Sequence, residues 1–240
     1  MNKAYAFFDV DGTLIKGKSM FDFHDFWYQN GAEASSRHEH EDISAILSSL
    51  AVSGASRALI NRRYYEFFAG RSVSNVTACA KAWAEQALEK PDFLVHKVVQ
   101  RLSALRQDGV EPVFVSGSFV ELLSPIAKAL DVKYVLATRL VNDGKKYNGR
   151  ITMPQTIGTG KAQAMHAFLA DQDADGRDCW AFGDDISDVP MLELVGHPTA
   201  VIGDQELAMI AAIRDWPTIK LTGPQEQACE NHMQLVAQAA

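Results

Sequence analysis

The chain has 240 residues, 47% of them apolar and 22% charged, which is enough to bury on the order of 70% of the unfolded surface in a core. A formal net charge of -7 argues against nucleic acid held through its backbone, which needs a concentrated basic face, but leaves room for a small anionic ligand. No 18-residue apolar run could span a bilayer, the N-terminal apolar stretch is too short and acidic for a signal peptide, and Cys79, Cys179 and Cys229 have no disulfide or zinc spacing. The expectation is a cytoplasmic chain with no membrane partner, as a monomer or homodimer.

Ala4 to Val10 is a compact apolar run that ends in acid and glycine, the pattern of a buried strand with a functional loop behind it. From Lys16 to Lys90 the pattern is helical. An aromatic cluster (Phe21, Phe23, Phe26, Trp27, Tyr28) reads as core, and a polar stretch from Gly31 to Asp42 follows it. Ile43, Ile46, Leu47 and Leu50 then recur at three and four residues, as do Leu59, Ile60, Tyr64 and Phe67, and Val76, Ala80, Trp83 and Ala87. Gly54 and Gly70 read as breaks. His24, His38 and His40 have no cysteine at ligand spacing and make no zinc site.

From Pro91 helices and strands take turns. Helical stripes start at Val95, Phe119 and Ala162; strands read at Val110–Val115, Lys133–Ala137, Cys179–Phe182 and Thr199–Ile202; a hairpin turns at Asn142-Asp143-Gly144. This alternation predicts an α/β fold, a Rossmann-like, mostly parallel sheet with helices on both faces. Residues 1–15 and 91–240 would form its α/β core, and residues 16–90 a small all-helical insertion. Ligands of such sheets bind beyond the carboxyl ends of the strands, where Asp9, Ser116 and Asp184 fall.

The chemistry concentrates there. Asp9 and Asp11 stand two apart, so extended backbone presents both carboxylates on one side. One can bind a cation and attack phosphorus, and the other can exchange a proton with a leaving group and then with water. Asp184 and Asp185 end a second apolar run, and carboxylates converging from both runs would repel one another unless a hard divalent cation lay among them. Ser116 offers a hydroxyl, and the amides of Gly117 and Ser118 an anion seat at a helix start. Lys161 sits at another helix start, where the dipole disfavours a cation and an anionic partner would explain it. Asp188, four residues after Asp184, is placed to cap the next helix or to hold Lys161.

Taken in order, Asp9-Val10-Asp11-Gly12-Thr13, Ser116, Lys161 and Gly183-Asp184-Asp185-Ile186-Ser187-Asp188 resemble the four motifs of the haloacid-dehalogenase-like (HAD) phosphohydrolases. The helical insertion resembles the type 1 cap of the phosphoserine phosphatase-like branch. That resemblance implies a phosphatase of small phosphorylated metabolites that works through a phosphoaspartyl intermediate with Mg2+. It makes Asp9 the nucleophile and Asp11 the general acid and base. Asp9, Asp11 through its carbonyl, and Asp184 would be metal ligands, with Asp185 or Asp188 acting through water or behind them. Ser116, Gly117 and Lys161 would hold the phosphoryl group, Thr13 would support the first loop, and Arg62 would be the cap arginine that reads the substrate. Two departures stand out. Asp185 and Ser187 replace a glycine and an asparagine of the fourth motif, and Lys18-Ser19 stands where the branch carries a glutamate for the phosphoserine ammonium group. Phosphotransfer to an alcohol through the same intermediate is the rival enzymatic reading. A non-catalytic regulator would need neither a nucleophile nor an acid.

Overall fold

The computed structural model describes residues 3–30, 37–203 and 205–221; of residues 37–41 it describes the backbone only. The side chains of His38 and His40, residues Gly31 to Ser36, and Cys229 therefore lie outside the described residues. After β1 (Tyr5–Phe8) come four helices, α1 (Ser19–Asn30), α2 (Arg37–Val52), α3 (Arg57–Glu66) and α4 (Val73–Leu88), with no strand among the described residues between them. Then follow α5 (His96–Gln107), β2 (Glu111–Phe119), α6 (Val120–Ala129), β3 (Tyr134–Thr138), β4 (Leu140–Asn142), β5 (Tyr147–Ile151) and α7 (Thr159–Asp171). The chain closes with β6 (Trp180–Gly183), α8 (Val189–Leu192), β7 (His197–Ile202), α9 (Gln205–Ile213) and β8 (Thr218–Lys220).

Six strands form one sheet in the order β3-β2-β1-β6-β7-β8, every pair parallel, and β4-β5 is a separate antiparallel hairpin. The α/β expectation holds. The order runs outward from β1 in one direction and then in the other, so a switch point lies between β1 and β6. Both faces of the sheet are covered, and strand alternation divides its side chains between two apolar clusters. Tyr5 and Phe7 join Val113, Val115, Met165 and Phe168 on one side, under α7, α8 and α9. Ala6 and Phe8 join Phe114, Phe182, Leu102 and Leu122 on the other, under α5 and α6. Phe8 and Phe182 stack face to face at 4.5 Å across the two central strands.

The second cluster does not stop at the sheet. It runs without a break into Phe23, Trp27, Tyr64, Phe68 and Trp83 of the four-helix segment. Of the aromatic run in α1, Phe23 and Trp27 are buried whereas Phe21 is exposed, as helical phase requires. Backbone bonds add to this seam: Gly70 N–H donates to Tyr147 at 2.8 Å, Val73 N–H to Lys145 at 2.8 Å, and Tyr147 N–H returns one to Arg71 at 3.0 Å. The hairpin is thereby stitched to the turn between α3 and α4.

Two elements escape a reading by pattern. Helix α9 (QELAMIAAI) is almost uniformly apolar and shows no polar face, although Leu207 and Ala211 are buried and Met209 and Ile213 are exposed. Strand β8 has three residues, too few for alternation to register.

Phe68 joins the layers, its ring lying 6.4 Å from Phe23, 5.2 Å from Phe119 and 6.2 Å from Tyr147. Phe68→Ala is expected to cost about 3–5 kcal/mol, with one urea transition shared by the helical segment and the sheet. A biphasic transition in the unaltered protein would contradict the shared core.

Candidate active site

Three neighbouring strands deliver the acids and the serine to one edge of the sheet. Asp9 follows β1 and its amide donates to Phe182 of β6 at 2.9 Å, which locks the first loop against the second acidic segment. Gly12 turns the chain with φ +96°, and a Cβ there would stand 2.2 Å from Asp184 Oδ2, so side chains are excluded on both counts. Thr13, wholly buried, donates its hydroxyl to Asp184 Oδ1 at 2.8 Å. Gly183 admits Asp188 in the same way, since a Cβ would lie 2.6 Å from that carboxylate.

Lys161 is the counter-ion at the centre. It enters from the first turn of α7, is 5% exposed, and donates to Asp9 Oδ1 at 2.5 Å and to Asp188 Oδ1 at 2.6 Å. Burial works against charge on Asp9, but Lys161, and then Lys18, overcome it and hold the Asp9 carboxyl below its usual range. Burial likewise opposes charge on Lys161, and Asp188 and Asp9 more than restore it, so its affinity for the proton rises. Asp188 is fully committed: its Oδ2 accepts the amides of Asp184 at 3.1 Å and Asp185 at 3.3 Å, which shapes the second loop. Asp184 fares differently. Burial pushes it well above the usual carboxylate range, Lys18 counters only in part, and Asp9 and Asp188 add to the rise.

The phosphate-binding candidates surround this pair less uniformly. Ser116 is buried, but its Oγ accepts the Ser118 amide at 3.1 Å, and β2 runs on to Phe119 so that α6 begins at Val120. The expected anion seat at a helix start therefore loses the Ser118 amide. Gly117 is half-buried, and its carbonyl takes protons from Tyr65 at 2.6 Å, Thr138 at 2.9 Å and Asn61 at 3.2 Å. Those three donors anchor the loop from the helical segment and from β3. Asp11 is gripped on both oxygens, by the Ser19 amide at 2.9 Å and the Ser118 hydroxyl at 2.8 Å. Because Ser118 donates to the carboxylate, the Ser19 hydroxyl must donate to Ser118 across their 2.6 Å contact. The head of α1 is thus part of the hold on Asp11.

Two long cations complete the site, and neither is Arg62. Arg57, at the start of α3, pairs with Asp185 and reaches Ser187 Oγ at 3.3 Å. Burial resists charge on Asp185, and Arg57 then holds its carboxyl below the usual range. Asp185 and Ser187, the two departures from the fourth motif, are the pair that receive it. Arg57, Asn61 and Tyr65 form one helical stripe at a spacing of four. Arg62 lies about 100° around from Asn61 and is exposed, so the structure does not bring it to the acids. Lys18 donates to the Asp11 carbonyl at 3.0 Å and stands 4.0 Å from Asp184 Oδ2. Reading from sequence missed Ser19, Ser118, Asn61 and Tyr65 as loop anchors; their spacing carries no signal, because their partners lie far along the chain.

The donor set suits a hard divalent cation. Carboxylate oxygens of Asp9, Asp184 and Asp188 lie within 4.8 Å of one another. Five acids (Asp9, Asp11, Asp184, Asp185, Asp188) face three cations (Lys18, Arg57, Lys161), and one divalent ion would offset the two remaining charges. The Asp11 side chain is not one of the converging carboxylates; only its carbonyl faces the cluster's cation.

Comparison with known proteins is consistent with this arrangement. The family model for haloacid dehalogenase-like hydrolase matches residues 6–193. A curated relative named "Probable phosphatase Rv3661", from Mycobacterium tuberculosis, is 30% identical over 225 residues, covering 91% of this chain and 76% of its own. A crystal structure of a protein of unknown function from Bordetella pertussis Tohama I superposes with TM-score 0.81 at 24% identity, over 91% of this chain and 99% of that one. A substrate-bound phosphoserine phosphatase shares the fold, with TM-score 0.62 at 17% identity over 87% of this chain and 90% of that one.

An acid whose proton affinity is raised by folding weakens the fold at any pH above its unfolded value, because the native state must be charged at a cost. Asp184→Asn keeps the bond to Thr13 and removes that cost. In metal-free buffer at neutral pH it is expected to raise the melting temperature, because the charge that burial and the neighbouring acids oppose is gone. A lower melting temperature for Asp184→Asn under those conditions would count against the electrostatic account.

Proposed function

We propose that this chain, which belongs to the haloacid dehalogenase-like hydrolase family, is a magnesium-dependent phosphatase that hydrolyses a small phosphomonoester through a phosphoaspartyl intermediate. The observation that carries the reading is the buried Lys161 between Asp9 and Asp188, which keeps Asp9 ionised at the switch point with Asp11 two residues away. A carboxylate held charged in a buried position is a nucleophile in waiting.

In the proposed reaction Asp9 attacks phosphorus and the ester P–O bond breaks, while Asp11 delivers a proton to the departing oxygen. Asp11 then takes a proton from water, water oxygen attacks phosphorus, and the acyl phosphate bond breaks to release inorganic phosphate and regenerate Asp9. Lys161 and the Ser116 hydroxyl, with the Gly117 amide, hold phosphoryl oxygens whose charge grows in the transition state. Asp9, the Asp11 carbonyl and Asp184 would hold Mg2+, with Asp188 fixing the loop behind them. Bound there, the ion would supply charge neutralisation between an anionic nucleophile and an anionic phosphate. Arg57 takes the substrate-facing role expected of Arg62, because it is the arginine of α3 that reaches the acids. A cytoplasmic setting suits Cys79 and Cys179, both buried free thiols. No helix among the described residues is long and apolar enough to cross a membrane.

Asp9→Asn is expected to abolish phosphate release from a generic aryl phosphate while the protein keeps its fold. Chelation should silence the unaltered enzyme, and magnesium should restore it better than calcium, whose looser coordination disturbs in-line geometry. Rapid quench is the check. Acid-stable phosphoprotein in Asp9→Asn, or full turnover after exhaustive chelation, would refute the mechanism.

The substrate preference follows from Lys18. An ammonium at that position repels the ammonium group of L-phosphoserine, so phosphorylated sugars, polyols or other metabolites without an obligatory ammonium are expected to have the higher kcat/KM. A phosphate-release screen across these classes decides it. A hundredfold preference for L-phosphoserine, about 2.7 kcal/mol, would reverse the assignment.

A further inference from the structure

Lys18 is not used in the reaction proposed above, yet it is the cation nearest to Asp184. Its backbone is fixed: the Lys18 carbonyl accepts the amides of Phe21 and Asp22 at the head of α1, and the next amide, that of Ser19, is bound to Asp11. Only the side chain can move. Its ammonium donates to the Asp11 carbonyl at 3.0 Å and faces Asp184 Oδ2 at 4.0 Å.

Asp184 Oδ1 already accepts the Thr13 hydroxyl, which leaves Oδ2, the oxygen that Lys18 faces, with the greater capacity for a divalent ion. An ion bound to a carboxylate at about 2.1 Å and an ammonium on the same oxygen repel each other in a buried setting, where screening is weak. Arg57 blocks the alternative of retreat towards α3, because it already neutralises Asp185 and repels a second cation.

We infer that Lys18 is a tethered competitor of the divalent ion: its ammonium stabilises the carboxylate cluster in the metal-free protein and must leave Asp184 Oδ2 when the ion enters. The inference rests on the magnesium reading given under the proposed function. It makes Lys18 a positioning residue that sets metal affinity, distinct from the residues that touch the reacting atoms. Without Lys18 the cluster would lose a charge partner, which weakens the metal-free fold, and would hold the ion more tightly.

The test measures binding in place of turnover. The full chain is stripped of metal and titrated with magnesium chloride by calorimetry, unaltered and as Lys18→Met, which keeps length and apolar bulk but removes the charge. Lys18→Met is expected to lower the magnesium Kd at least tenfold and to melt several degrees earlier without metal. General damage to the site would weaken binding, so tighter binding is a signature that a merely structural role would not produce. An unchanged or raised Kd in Lys18→Met overturns the inference. A second measurement needs only the unaltered protein: the Lys18 ammonium resonance, followed by lysine side-chain NMR, is expected to shift on saturation with magnesium, and a resonance that stays put overturns it as well. Failure of both proteins to bind magnesium would remove the metal reading itself, an outcome distinguishable from equal binding by both.

Discussion

Everything at the carboxyl edge of the sheet is arranged around one crowded point, where acids from two parallel strands meet in a buried place. Asp9 and Asp184 are brought together because β1 and β6 are adjacent and in register, and the Asp9 amide is bonded to Phe182. Two buried carboxylates so placed cannot both be charged without cations inside the same volume. Lys161 meets half of that demand and is buried for the purpose. The glycines at positions 12 and 183, the buried hydroxyl of Thr13 and the capping turn of Asp185 to Asp188 all follow from packing the remainder without a clash.

The same constraint explains why the helical segment is joined so firmly to the sheet. The acid/base candidate Asp11 is held by Ser19 and Ser118, one from the head of α1 and one from the last residues of β2. The Gly117 carbonyl is held by Asn61 and Tyr65 of α3 and by Thr138 at the end of β3. Loop positions at the catalytic edge are therefore fixed by residues that also belong to the shared apolar core, such as Tyr65 and its neighbour Phe68. Geometry at the site and packing of the insertion are parts of one structure.

Much of this could be read from the chain before folding. Asp9, Ser116 and Asp184 each end an apolar run, and a doubly wound sheet turns that pattern into a meeting point. Lys161 is conspicuous because a lysine at a helix start contradicts the dipole. What escaped was whatever depends on reach and helical phase. Arg57 and Arg62 are equally basic on paper, and only the orientation of α3, set by Asn61 and Tyr65 against Gly117, decides between them. Lys18 reads as a missing acid, but its flexible stem hides where the ammonium goes. The Ser118 amide is spent on Ser116 Oγ and not on an anion, because β2 continues to Phe119 and delays α6.

The stitching of the hairpin to the turn at Gly70–Val73 constrains how the helical segment can move. A rigid hinge motion of all four helices would have to break those backbone bonds and split a continuous apolar core. The N-terminal turn of α3 is tied to the acids differently, by the half-exposed side chain of Arg57, which reaches Asp185 and Ser187. That corner is tied by an ion pair that added salt weakens, whereas the seam at the hairpin is tied by backbone bonds that salt leaves in place.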